Sequence, residues 1–137
     1  MNLEDKQHEA MMLLTVTEDL WPHTAMVSVG EVIAIDQKTL RLSLWLGTQT
    51  TGNIIRSGKA TLVALYDGVA HYVRLELSKL PELSMPLHPR ERFEAKVVWV
   101  REDTAKYAEI NSGVKITLKD PDEVLIRWRE TILELQS

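Results

Sequence analysis

The chain has 137 residues, 45% apolar and 26% charged, a composition that excludes intrinsic disorder and fits one globular domain over residues 1–137. Sixteen basic against twenty acidic side chains leave a net charge of −4 with the cations dispersed, so nucleic acid is not an expected partner. The absence of cysteine removes disulfides, thiolate catalysis and Cys-based metal centres, and no signal-peptide pattern or membrane-length apolar run occurs, so a cytoplasmic protein is expected.

In chain order, Leu3 to Ala10 reads as a short helix and Met11 to Thr17 as a strand, with Glu18-Asp19-Leu20-Trp21 turning the chain. Thr24 to Ile35 has the composition of one long strand, entered through Pro22-His23 and bent at Gly30. After a turn at Asp36-Gln37-Lys38, Leu40, Leu42, Leu44 and Leu46 alternate with Arg41, Ser43 and Trp45. That period of two predicts a strand with a leucine face and with Trp45 pointing away from it. Thr50 or Thr51 is expected to cap a helix of about two turns that reaches Ile54-Ile55-Arg56 and ends at a left-handed Gly58.

Ala60 to Tyr66 is the next strand, Asp67-Gly68 a hairpin turn, and Val69 to Leu77 the antiparallel return. Pro81, Pro86 and Pro89 make Lys79 to Pro89 a loop. Arg92 to Arg101 is the last long strand, with Phe93, Ala95, Val97 and Trp99 on one side. A brief helix from Asp103 to Ile110 and a short strand from Val114 to Leu118 follow. Asp120-Pro121-Asp122-Glu123 has the form of a capping box with proline at the first helical position. The helix it opens runs to about Leu135, with Val124, Trp128, Ile132 and Leu135 on one face. Six strands with short connections point to a closed or nearly closed barrel.

His8, His23, His71 and His88 lie in four different segments with no H-x-x-x-H pair, so no metal site is expected. A nucleophile elbow, a P-loop and a dinucleotide fingerprint are all absent. Of the four tryptophans, Trp21, Trp99 and Trp128 read as core or interface anchors, while Trp45 is expected to face a partner, a ligand or the far side of the barrel. Arg74, between Val73 and Leu75, reads as the outward partner of Glu76 or Glu31. The stretch Gly47-Thr48-Gln49-Thr50-Thr51-Gly52-Asn53 places hydroxyl groups at the start of a helix, where unpaired N–H groups attract an anion.

From Trp21 to about Leu77, Pro22-His23 ahead of a strand, a second strand, Gly47-Thr48-x-Thr50, Asn53-Ile54 on a short helix, and Ser57-Gly58-Lys59 before another strand form a recognisable series. It resembles the FMN-binding split β-barrel family typified by the pyridoxamine phosphate oxidases. The resemblance implies a mainly β fold with flanking helices: a six- to seven-stranded antiparallel split β-barrel, a short helix after strand 3 and a C-terminal helix. It also implies a homodimer that holds FMN in clefts between its subunits, and a flavin-dependent oxidoreductase activity. By the same resemblance, the backbone of Thr24, Met26, Val27 and Ser28 lies along the flavin ring. Thr48, Gln49, Thr50, Thr51 and Asn53 surround the phosphate, and Trp45 or Tyr72 walls the cleft. No side chain is assigned as a catalytic acid or base. The family pattern has lysine where Thr50 stands, which leaves Arg56, Lys59 or Arg74 to provide a cation. Two other readings share the fold. One is a cofactor-free dimeric barrel that binds a small molecule, favoured by the missing lysine. The other is a relative that binds haem or a deazaflavin, with His23 or His71 as the haem ligand.

Overall fold

Strand alternation and two tight turns organise the chain into one antiparallel sheet. A computed structural model describes residues 3–137. After α1 (Leu3–Lys6), the strands are β1 (Glu9–Val16), β2 (Pro22–Ser28), β3 (Val32–Ala34) and β4 (Thr39–Trp45). Helix α2 (Gln49–Ser57) then leads to β5 (Lys59–Tyr66), β6 (Val69–Lys79), β7 (Arg90–Asp103), β8 (Val114–Lys115) and α3 (Pro121–Leu135). Asp67 and Gly68 both have positive φ, 51° and 76°, as a two-residue hairpin turn between β5 and β6 requires.

The sheet order is β2-β1-β5-β6-β7-β4-β3, and β8 pairs with the start of β1. Its two terminal strands, β2 and β3, are consecutive in the chain and separated only by Val29, Gly30 and Glu31. A sheet whose opposite edges are joined by three residues has to curl until those edges approach. The result is a split barrel, because no ladder joins β2 to β3 among the described residues.

Leu13, Leu42, Phe93 and Ala95 are inaccessible or nearly so inside the curl, together with Val27, Leu62 and Leu75. Each large side chain there contributes about 1.5–3 kcal/mol of apolar burial. Helix α2 covers one end and inserts Ile54 into this core. A second cluster forms where Leu125 and Trp128 of α3 pack on Leu3 and Val29, across the bend that closes the barrel. Gly30 permits this contact, since a Cβ there would stand 2.2 Å from Trp128 Cγ. Two arginines fasten the end of α3. Arg41 donates to the carbonyls of Leu135 and Ser137, each at 3.0 Å, and Arg92 to that of Glu134 at 2.9 Å.

Several expectations change. The single strand predicted for Thr24 to Ile35 is two strands on opposite edges of the sheet, because Gly30 turns the chain rather than bending it. With that division the short helix follows the fourth strand. The first helix stops at Lys6, since the chain from Glu9 is claimed by the ladder with β2 and β8. The helix predicted for Asp103 to Ile110 does not form, and the strand predicted for Val114 to Leu118 is confined to Val114–Lys115. Thr48, not Thr50 or Thr51, caps α2: its Oγ1 accepts the Thr51 N–H at 3.1 Å, and the two later threonines are buried. Asp120 makes no side-chain cap bond because its backbone is left-handed, φ 48°, so only the Pro121 half of the predicted helix start holds. Leu46 lies beyond β4 and is half exposed.

Candidate functional site

Trp99 reveals the feature that shapes the outer face of the sheet. Arg74 pairs with Trp99 and Leu75 with Val97, so Val98 is an extra residue on β7 and the alternation changes phase. Phe93, Ala95 and Val97 point inward as predicted, whereas Trp99 turns outward and lies under the Arg74 guanidinium at 4.2 Å. Val98, Trp99 and Val100 are 52%, 38% and 56% exposed, a run of apolar surface on a structured strand.

Register carries this surface across four further strands. One row runs Thr24, Leu14, Thr61, Arg74 and Trp99; the next runs Met26, Met12, Val63, Tyr72 and Arg101. Thr24, Met26 and Tyr72, three of the predicted site residues, therefore share one outward face. Met26 is 58% exposed, and Tyr72 donates to Asp103 Oδ2 at 3.1 Å. That bond to a carboxylate pushes the phenol above its ordinary value. Val27 points the other way, into the core, and the Ser28 hydroxyl donates to Glu31 Oε1 at 3.0 Å.

Beside these rows lies a groove of about 350 Å³ between β1, β5 and β6. Its lining includes Thr15, Pro22, Lys59, Thr61, Arg74 and Val98. Glu76 also borders it, 4.0 Å from Lys59 Nζ. Arg74 has no carboxylate within 4.0 Å among the described residues, contrary to its expected pairing with Glu76 or Glu31. Thr61 and Val98 escaped the sequence reading, although the period of two in β5 places Thr61 on the face of Lys59.

The remaining predicted residues gather at α2. Thr48, Gln49, Thr50, Thr51 and Asn53 form its first turns, and Trp45 is tied to them because Thr51 Oγ1 donates to its carbonyl at 2.7 Å. Asn53 is fully buried. Its Nδ2 donates to Thr15 Oγ1 at 3.0 Å, and its Oδ1 accepts from Gln49 at 2.7 Å and from Arg56 at 3.1 Å. Arg56 also donates to the Val16 carbonyl. These bonds fasten α2 to β1 and β4, so the Thr51 hydroxyl, the Asn53 amide and Arg56 are committed within the fold. What α2 leaves open at its first turn is the backbone N–H groups of Gln49 and Thr50, with no basic side chain in that turn; the exposed Thr48 accepts the Thr51 N–H and donates its hydroxyl to Thr51 Oγ1, both at 3.1 Å.

The three candidate cations thus do not converge on Thr50. Lys59 follows the C-cap Gly58, and Arg74 pairs with Thr61 two residues further on, which places both at the opposite end of α2. Trp45 is half exposed with Arg90 stacked on it at 3.8 Å. His71 is stacked on Tyr66, centroids 4.2 Å apart, with Glu102 4.0 Å from its Nδ1. No cluster of metal-ligating side chains occurs among the described residues, and no helix there is long and apolar enough to cross a membrane.

No family model matches the chain. The uncharacterized protein YclD of Bacillus subtilis (strain 168) is 49% identical over 134 residues, spanning 98% of this chain and 87% of that protein. Among solved structures, an FMN-binding protein of Syntrophomonas wolfei aligns with a TM-score of 0.56 at 20% identity, over 69% of this chain and 77% of its own. The styrene monooxygenase flavin reductase of Pseudomonas putida aligns with a TM-score of 0.55 at 16% identity, over 75% and 84% of the two chains. A Clostridium acetobutylicum protein of the pyridoxinephosphate oxidase family gives 0.56 at 14% identity, over 77% and 86%. At such identities the three likenesses concern the fold.

Proposed function

The chain belongs to the family of Bacillus subtilis YclD and has the split β-barrel fold of pyridoxamine phosphate oxidase-like proteins, and from that premise we propose that it binds FMN as a homodimer. The observation that carries the proposal is the outward sheet face. Met26, Val98 and Trp99 expose apolar area around a groove lined by Lys59, Arg74 and two threonines. An apolar surface of this kind calls for a second subunit, and a polar groove beside it suits a ligand held at the joint.

In this reading the ring edge follows the backbone of β2 from Thr24 to Ser28, and Tyr72 and Trp45 wall the cleft. The phosphate takes the open N–H groups at the first turn of α2 together with the Thr48 hydroxyl, which turns its proton from Thr51 Oγ1 to the ligand, with Gln49, Thr50, Thr51 and Asn53 shaping that turn. FMN, when bound, accepts and passes on hydride or electrons, which makes the protein a flavin-dependent oxidoreductase in cytoplasmic surroundings. The chain's own part is to orient the ring, hold the phosphate and exclude water. The fit is neutral rather than cationic at α2, so affinity there rests on dipole and hydrogen bonds.

The visible spectrum of the purified protein, before and after adding FMN, tests the proposal. Bound flavin bands and quenched fluorescence are expected. A colourless protein that leaves FMN fluorescence untouched defeats the proposal and favours a cofactor-free binding module, the reading supported by the missing cation at Thr50. Gln49→Glu puts a carboxylate in the first turn of α2, where it repels phosphate, and is expected to weaken FMN about tenfold, with circular dichroism checking that loss of the Gln49–Asn53 hydrogen bond leaves the fold intact. Arg74→Gln is the counter-test: if it alone weakens FMN, the phosphate lies in the groove.

A further inference from the structure

A separate cavity of about 230 Å³ lies between the end of β4, the proline-rich segment 80–89 and the last turns of α3. One wall is apolar, with Leu46, Leu80 and Leu83, and another carries Arg90 and Arg92. Arg92 is only 9% exposed, and its two Nη groups donate to main-chain carbonyls, Glu134 at 2.9 Å and Pro81 at 2.7 Å. Neither arginine has a carboxylate within 4.0 Å among the described residues.

The acidic side chains that share the lining are engaged or solvated. Glu91 pairs with Lys79 at 3.3 Å, the Glu134 carboxylate accepts the Leu87 N–H at 3.0 Å, and Glu82 is exposed. His88 Nε2 and Arg90 Nε, both on residues of this cavity, are buried without a hydrogen-bond partner among the described residues, although the Glu130 carboxylate stands 3.9 Å from His88 Nε2 and balances its charge when the imidazole is protonated. Arg90 is half-buried, donates to the Ser43 carbonyl at 3.4 Å and feels the charge of Glu31, which does not line the cavity. The buried Arg92, by contrast, is hydrogen-bonded to main-chain carbonyls alone among the described residues; a guanidinium so placed is costly to bury, and an anion beside it offsets that cost.

We propose that this cavity binds a short aliphatic carboxylate, its head group among Arg90, Arg92 and His88 and its chain against Leu46, Leu80 and Leu83. The volume lies below the roughly 300 Å³ at which drug-sized pockets begin, which limits the chain to about four to six carbons. The cavity shares no lining residue with the groove on the outer sheet face, and its one link to the proposed flavin cleft is Arg90, stacked on Trp45, so binding is measured without flavin.

The test is calorimetric titration of the flavin-free protein with hexanoate, hexanamide and inorganic phosphate. Hexanoate is expected to saturate with a Kd below ~10 mM, and hexanamide to bind at least about tenfold more weakly. Arg90→Gln is expected to lower hexanoate affinity about tenfold, with circular dichroism confirming the fold; His88→Gln, on the proline-rich segment, serves if that variant is unstable. Absence of saturable hexanoate binding overturns the proposal. So does equal binding of the amide, preference for inorganic phosphate, or undiminished affinity in the folded variants.

Discussion

Gly30 and Glu31 are neighbours in the three residues that close the barrel, and each makes a prediction. A methyl group at Gly30 meets the Trp128 ring in the buried second cluster, so Gly30→Ala is expected to destabilise the protein by about 1–3 kcal/mol in urea unfolding, with Trp128 emission shifting to longer wavelength. Burial raises the Glu31 carboxyl above its ordinary 4.5, outweighing the Ser28 hydrogen bonds and the charge of Arg90, which lower it. The folded state therefore holds this proton more tightly than the unfolded state. The associated stability is present below 4.5 and is lost as pH rises through the higher folded value. Glu31→Gln removes that loss, so unfolding measured across this window should show a flatter pH dependence than wild type; an unchanged slope assigns the titration elsewhere.

Helix α2 holds the candidate site together through hydrogen bonds rather than charge. Thr48→Ala removes the cap and is expected to cost about 1 kcal/mol. Asn53→Ala strips three hydrogen bonds from a fully buried position, with an expected cost of about 1–3 kcal/mol by equilibrium unfolding. The larger effect at Asn53 distinguishes a tether to β1 from a surface ligand contact. On β7 the deciding device is the bulge at Val98, which reverses the side-chain phase and moves Trp99 from the predicted inner side to the surface, under the Arg74 guanidinium. The period of two was legible along this strand. The extra residue was not, because a bulge needs a partner strand to count against.

For the whole molecule, the exposed face around Met26 and Val98 is the expected subunit joint. Met26→Glu combined with Val98→Glu is expected to convert a dimer into a folded monomer, read by solution mass and circular dichroism. A wild-type chain that is monomeric at micromolar concentration would overturn the dimer proposal. Local chemistry alone determined much of this protein: the mainly β class, the leucine face of β4, the Asp67-Gly68 hairpin, the Gly58 helix end and the Pro121 helix start. Each follows from side-chain period or backbone freedom within a few residues, and so needs no distant partner. Tertiary structure decided that Gly30 sends the chain from one sheet edge to the other, that Trp99 faces out, that Arg56 is spent on Asn53 and Val16, and that Lys59 and Arg74 meet away from Thr50. These outcomes depend on which strands pair and in what register, contacts between residues tens of positions apart that no local pattern encodes.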